Sequence, residues 1–134
     1  MEAMDKAIVA MTPTADHSAK RGYFVTAANG QAALVTTPAT DDPYGVILDG
    51  ENTTGKDSIA ICGGNAGPVK VKLSANPGTV AAGTRLQLDA TTVGTVCADA
   101  GTGARVICAR ALESGAADEL IRAILLSPVI YAGS

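Results

Sequence analysis

Gly22-Tyr23-Phe24-Val25 and Gly83-Thr84-Arg85-Leu86 open two passages of this chain that follow one plan. Each passage runs through a Gly-led strand, a turn, a second strand, an apolar run, a loop closing on glycine and a final strand, over residues 22–61 and again over 83–125. Val46-Ile47-Leu48 answers to Val106-Ile107-Cys108, and the loop reaching Gly55 to the loop reaching Gly115, about 60 residues further on. A strand motif of that size cannot bury a core alone. Two copies therefore predict one compact all-β domain made by pairing them, with pseudo-repeats at 22–62 and 83–125 inside a single β domain of residues 22–134.

Within the first copy, Tyr23-Phe24-Val25-Thr26 and Gln31-Ala32-Ala33-Leu34-Val35-Thr36 flank Asn29-Gly30. Asn-Gly tolerates the positive φ that a tight hairpin turn requires, so this is a predicted hairpin. The polar loop 37–43 leads to the apolar run Tyr44-Gly45-Val46-Ile47-Leu48, suited to a buried strand, and residues 49–57 read as a loop. Val69-Lys70-Val71-Lys72-Leu73 alternates cleanly, which places the aliphatics inward and both lysines in solvent, where they also discourage edge-to-edge aggregation. Residues 116–125 hold good helix formers with acids at the start, yet their counterpart 58–62 reads as a strand. The duplication favours a strand from Leu120 onward, ended by Pro128, with a further short strand at Val129-Ile130-Tyr131.

Residues 1–21 differ from the rest, with Pro13, hydroxyl residues, mixed charges and no sustained period, and read as an extended N-terminal arm that orders on a partner, with a disordered tail as the alternative. Ile8, Val9 and Met11, with Pro13 beside them, are the arm residues able to dock on a partner. The loop at 109–118 is short and Ala-rich where 49–57 is charged. Ala116 and Ala117 are therefore the expected contacts with a neighbouring subunit, and Glu51 and Lys56 the expected solvent positions.

Composition favours a scaffold over a catalyst. A single domain is expected for 134 residues, and it buries roughly two-thirds of the surface its unfolded chain exposes. Aromatic side chains are limited to Tyr23, Phe24, Tyr44 and Tyr131, so the core is thin and built from small residues, and oligomer contacts are a plausible further source of buried area. Ten basic residues against thirteen acidic give a net charge of −3, and no basic run exceeds Lys20-Arg21, which argues against direct nucleic-acid binding. Apolar stretches such as 123–126 and 129–132 fall far short of the roughly 20 residues a membrane span needs. The acidic start lacks the layout of a signal peptide, so synthesis in a cytoplasm is expected.

No catalytic, cofactor or metal site is expected. Cys62, Cys97 and Cys108 lack the short paired spacing of zinc ligands; they read as small buried strand residues, with a single disulfide as the lesser possibility. His17, the only histidine, has just Ser18 nearby, which makes a nucleophile system improbable. Gly63-Gly64-Asn65-Ala66-Gly67 lacks the Lys-Ser/Thr ending of a phosphate loop. Asp41-Asp42 and Asp49 with Glu51 read as solvated acids rather than a cation site, and Lys56 is a poor match for a lipoyl-type carrier lysine.

Taken in order, Lys20-Arg21-Gly22-Tyr23-Phe24-Val25, Tyr44-Gly45-Val46-Ile47, Val69-Lys70-Val71, Val80-Ala81-Ala82-Gly83-Thr84-Arg85-Leu86, the run from Arg105 to Gly115 and Leu120-Ile121 resemble the small capsid decoration (cement) proteins of tailed bacteriophages. The resemblance spans roughly residues 16–126 and departs from the family's pattern at Arg105, where a glycine is usual. It implies an antiparallel β-barrel or sandwich-like domain, a homotrimer on the outer surface of the virion head, and the major capsid protein as partner. The competing readings are another virion component, such as a tail or head-completion part, and a carbohydrate- or peptide-binding module unrelated to virions.

Overall fold

The computed structural model describes residues 7–133, and every regular element among them is a strand. The strands are β1 (Ile8–Pro13), β2 (Phe24–Ala28), β3 (Gln31–Leu34), β4 (Gly45–Asp49), β5 (Asp57–Ile61), β6 (Val69–Lys72), β7 (Arg85–Leu88), β8 (Val96–Ala98), β9 (Arg105–Ala111) and β10 (Leu120–Tyr131). The first five close into a barrel in the order β1-β3-β2-β4-β5, with β5 returning to β1; the last five form a curled sheet in the order β6-β10-β9-β7-β8.

Ladder for ladder, the two sheets are the same object. Val9 faces Ile59 as Val69 faces Ala123, Phe24 faces Val46 as Arg85 faces Arg110, and Gly45 faces Ile61 as Ala109 faces Leu125. Val25 opposite Leu34 repeats as Leu86 opposite Ala98. Even the parallel contact Pro13–Ala32, which closes the first barrel, has its counterpart in a lone parallel bridge, Leu73–Val96, across the seam of the second sheet.

The duplication is therefore real, with three corrections to its expected form. Each unit begins one strand earlier than the glycine motif suggests, at β1 and β6. The units do not pair strand to strand; each curls on itself. The partner of Gly45-Val46-Ile47 is Ala109-Arg110-Ala111, not the aliphatic triplet before it. That triplet misleads because Cys108 is an extra residue: Leu86 faces Ala109 while Gln87 already faces Ile107, so β9 carries a bulge there.

The expected arm needs the largest revision. Residues 8–13 are extended, but as β1 they are hydrogen-bonded antiparallel to β5 and run beside β3, so they are a stave of the barrel. Their alternation is real, with Met11 and Pro13 buried between exposed Ala10 and half-buried Thr12; the polar residues that follow hid so short a pattern. The part of the arm at residues 1–6 lies outside the described residues.

Local chemistry explains the connections. Asn29 (φ 54°) and Gly30 (φ 75°) both take the left-handed conformation of a two-residue hairpin turn, as expected. Gly22 (φ 86°) and Gly83 (φ 93°) begin β2 and β7 from identical turns, closed by Tyr23 N–H to Lys20 O and by Thr84 N–H to Ala81 O. β10 is a strand from Leu120, but Pro128 does not end it. The β9–β10 register shifts between Leu125 and Val129, and an irregular stretch is where a residue without an N–H is tolerated. Residues 116–119 form a turn with Asp118 at φ 64°.

Two clusters fill the interior. Met11, Val25, Ala32, Ile47 and Ile59 fill the first barrel. The larger cluster joins the inner residues of the second sheet, including Val71, Leu73, Leu86, Leu88, Val96 and Ile121, to Phe24, Val46 and Ala60, which stand on the outer face of the first barrel. β2 thus meets the seam between β6 and β8, where Phe24 N–H donates to Gly94 O (2.7 Å) and Lys72 N–H donates to Gly22 O (2.9 Å). Burying a side chain the size of Phe24 contributes about 2–3 kcal/mol, a large share in a core otherwise made of Val, Ala, Ile and Leu.

Candidate interaction surfaces

The residues expected to touch a partner separate into two groups. Ile8 is 51% exposed, and Ala116 and Ala117 are exposed in the turn before β10, beside Leu120. Met11 and Pro13 are buried, and Val9 packs against the first barrel's interior cluster, so these three are core residues rather than contacts. Of the expected contact loop at 109–118, residues 109–111 belong to β9; the loop proper is 112–119. The charged loop after β4 is exposed at residues 51–54, as expected.

One end of the first barrel is closed by a buried polar pair. His17 Nδ1 lies 2.6 Å from Asp57 Oδ2, with both residues almost wholly excluded from solvent. Asp57 Oδ1 accepts the Glu51 N–H (2.8 Å), and His17 N–H donates to Glu51 O (2.8 Å), so segments 14–22 and 49–57 are laced together around the pair. Ser18 donates its hydroxyl to Asp16 (2.7 Å), turned to a different partner from His17. The arrangement holds a loop to a barrel end by satisfying two buried polar groups reciprocally, which a lone buried charge could not do.

Of the three thiols, Cys108 is buried and Cys62 and Cys97 are half-buried. Burial, with Asp42 nearby, pushes the Cys62 thiol up to about 12, and burial with Asp89 does the same for Cys97, to about 12. Cys108 is wholly buried and is raised well above its ordinary value. All three are free. Cys62 also borders an open groove of about 450 Å3 that includes Thr26, Asp42, Tyr44 and Pro128.

The surface feature absent from the sequence reading is a basic sheet face. Alternation on β6, β10 and β7 sends Val71, Ile121 and Leu86 inward and Lys70, Lys72, Arg122 and Arg85 outward. Cross-strand register then sets Arg122 beside Lys70, and Arg110 beside both Ile124 and Arg85. Arg105 joins through Tyr131: its guanidinium stacks on the ring at 4.2 Å, while Arg85 Nη2 donates to the phenol oxygen (3.2 Å), a bond that raises the Arg85 pKa further.

All six cationic side chains between residues 63 and 133 therefore gather on one face. Two carboxylates interrupt it. Glu113 lies between Lys70 (3.9 Å) and Arg122 (3.8 Å), and Asp99 accepts from Arg105 Nε (2.7 Å). The Arg122 N–H, above all, holds the Glu113 carboxyl below the usual carboxylate range. Asp99 is held low too: slight burial opposes ionisation, but the Gly101 N–H and Arg105 outweigh it. Arg110 has no ion pair among the described residues, and Arg85 directly opposite is a like charge, an arrangement that costs stability in a sheet. Four arginines spread over three strands leave no run in the sequence; only the register assembles them.

No protein-family model matches this chain, and a search of curated proteins gives no match.

Proposed function

We propose that this protein is a capsid decoration protein that binds the outer surface of an assembled phage head as a homotrimer and reinforces contacts between major capsid subunits. The observation that carries the reading is the tandem of two register-matched five-stranded units sharing a core, on which the motifs of the resemblance take framework positions. Gly22 and Gly83 start equivalent strands, Gly45-Val46-Ile47 lies in β4, and Val69-Lys70-Val71 lies in β6. Such a body presents broad sheet faces for contact.

A protein that binds only the assembled lattice stabilises it by mass action, and three copies engaging three sites release slowly even where each contact is modest. The test is co-sedimentation of the purified protein with unexpanded and expanded heads of its own phage, scored with the thermal stability of the heads. The expected result is saturable binding to expanded heads and a rise in their disruption temperature. Binding to tails instead, or to neither particle, would sink the proposal.

A further inference from the structure

We infer that the basic face of the second unit is a docking surface for the acidic first unit of another copy of this chain, in a head-to-tail contact. The inference rests on the reading of the protein as self-associating and adds the surfaces that do it.

Three observations converge. The first comes from the internal duplication. Phe24, Val46 and Ala60 stand on the outer face of the first barrel and are buried against the second unit; Arg85, Arg110 and Ile124 occupy the same ladder positions of the second unit and remain at the surface. A face that is an interface in one unit is left open in its sister. The second is charge. Residues 7–62 carry six acids against three bases, while residues 63–133 carry six bases, all on the open face, against five acids. The exposed acids of the first unit include Asp16, Asp49 and Glu51, on the segments that the His17–Asp57 pair laces together; those segments also hold its three bases, Lys20, Arg21 and Lys56, and Asp41 and Asp42 on the loop before β4 add to the acidic excess. The third is composition. The face combines four arginines with half-buried Ile124 and Leu126 and exposed Leu120, and arginine with aliphatic surface is the composition of protein interfaces, in which guanidinium forks take carboxylates bidentately. Glu113 and Asp99 interrupt the cationic surface where a phosphate backbone would meet repulsion, which favours a protein carboxylate surface over a nucleic acid.

Because the two surfaces differ, the contact is heterologous, and successive copies joined this way close into a ring when the rotation permits. A ring of three satisfies the proposed function.

Sedimentation velocity on the full chain at low and high salt tests the inference, using wild type, the double reversal R110E/R122E, the double reversal D49K/E51K and the four-site combination. Wild type is expected to sediment as an oligomer, each double reversal to weaken association at least about tenfold, and the combination to recover much of it. The recovery guards against variants that merely misfold. An oligomer indifferent to both reversals overturns this inference while leaving the homotrimer standing; a wild-type monomer under all conditions overturns both. Titration of a short labelled DNA duplex runs alongside: binding lost in R110E/R122E with the oligomer unchanged would assign the face to phosphate and overturn the inference.

Discussion

The two halves of this chain share every strand pairing and almost none of the chemistry placed on it. Where the first barrel turns Phe24 and Val46 outward into a core, the second turns Arg85 and Arg110 outward into water. Where the first puts Asp57 inward, paired with His17, the equivalent β10 position is Ile121, ordinary apolar filling. Where the first joins its hairpin with Asn29-Gly30, the second uses a longer loop organised by Asp89, whose carboxylate accepts from the N–H groups of Thr91 and Thr92. Register is thus a property of the backbone plan, set by alternation and a few glycines. Which half gives a surface and which receives one is decided by side chains at matched positions.

The widest gap between matched positions is expected at Phe24 and Arg85. Phe24→Ala removes the largest side chain of the shared core and should cost about 3–5 kcal/mol, whereas Arg85→Ala should change stability by less than about 1 kcal/mol. Urea unfolding of both variants measures this; comparable losses would mean that the outer faces are energetically alike.

Asp57→Ala leaves His17 buried without its partner and should cost about 3 kcal/mol or more, in contrast to a conservative Ile121→Val, which should cost about 1 kcal/mol. Thermal melts of the two variants would show whether the polar clasp is as integral to the first unit as the aliphatic position is to the second.

The paired glycines differ in what surrounds them. Alanine at Gly83 meets only the strain of positive φ, about 1–2 kcal/mol, since no atom lies within 4 Å of the added methyl. At Gly22 the same methyl would run into the Leu120 side chain and lie 2.9 Å from the Lys72 nitrogen, so Gly22→Ala should cost clearly more. Equal melting temperatures would place the join between the units elsewhere.

The smallest effect concerns the thiols. Their pKa is raised in the folded state, so stability is intact below the ordinary value of 9.0 and declines as pH rises through it toward about 12, because unfolding frees thiols that ionise. Melting temperature should therefore fall above about pH 9, and the fall should lessen in a Cys62→Ala/Cys97→Ala double variant. Native protein should also resist thiol reagents at neutral pH, reacting only once unfolded. Reaction of the folded protein at the rate of an unperturbed thiol would contradict the raised pKa of half-buried Cys62 and Cys97.

Much of the architecture was legible in the sequence, and the reasons for the misses are local. The Gly22/Gly83 correspondence, the Asn29-Gly30 hairpin and the alternation at 69–73 each encode a backbone requirement directly, so they read correctly. β1 did not, because six residues with only two fully buried, flanked by polar chain, give little periodicity; its ladder comes from β5 and β3, which are distant in sequence. The triplet 106–108 misaligned because a bulge breaks the period at Cys108. Of the expected contacts, Ile8, Ala116 and Ala117 lie at the surface, while Val9, Met11 and Pro13 went astray with the strand that contains them. The basic face was invisible because its members stand on four strands, and cross-strand neighbours cannot be seen until the register is known.

The open seam of the second sheet carries a consequence for how the molecule is made. The first barrel closes on itself and has an interior cluster of its own, so it can complete its hydrogen-bond ladder while later residues are still emerging from the ribosome. Among the described residues a single bridge crosses the seam of the second sheet, and its cluster includes Phe24 and Val46 from the unit already finished. Synthesis from the N-terminus therefore supplies the template before the part that needs it, and a circular permutant beginning at β6 would reverse that order. Two copies of one ladder have become, in time as well as in space, a mould and its casting.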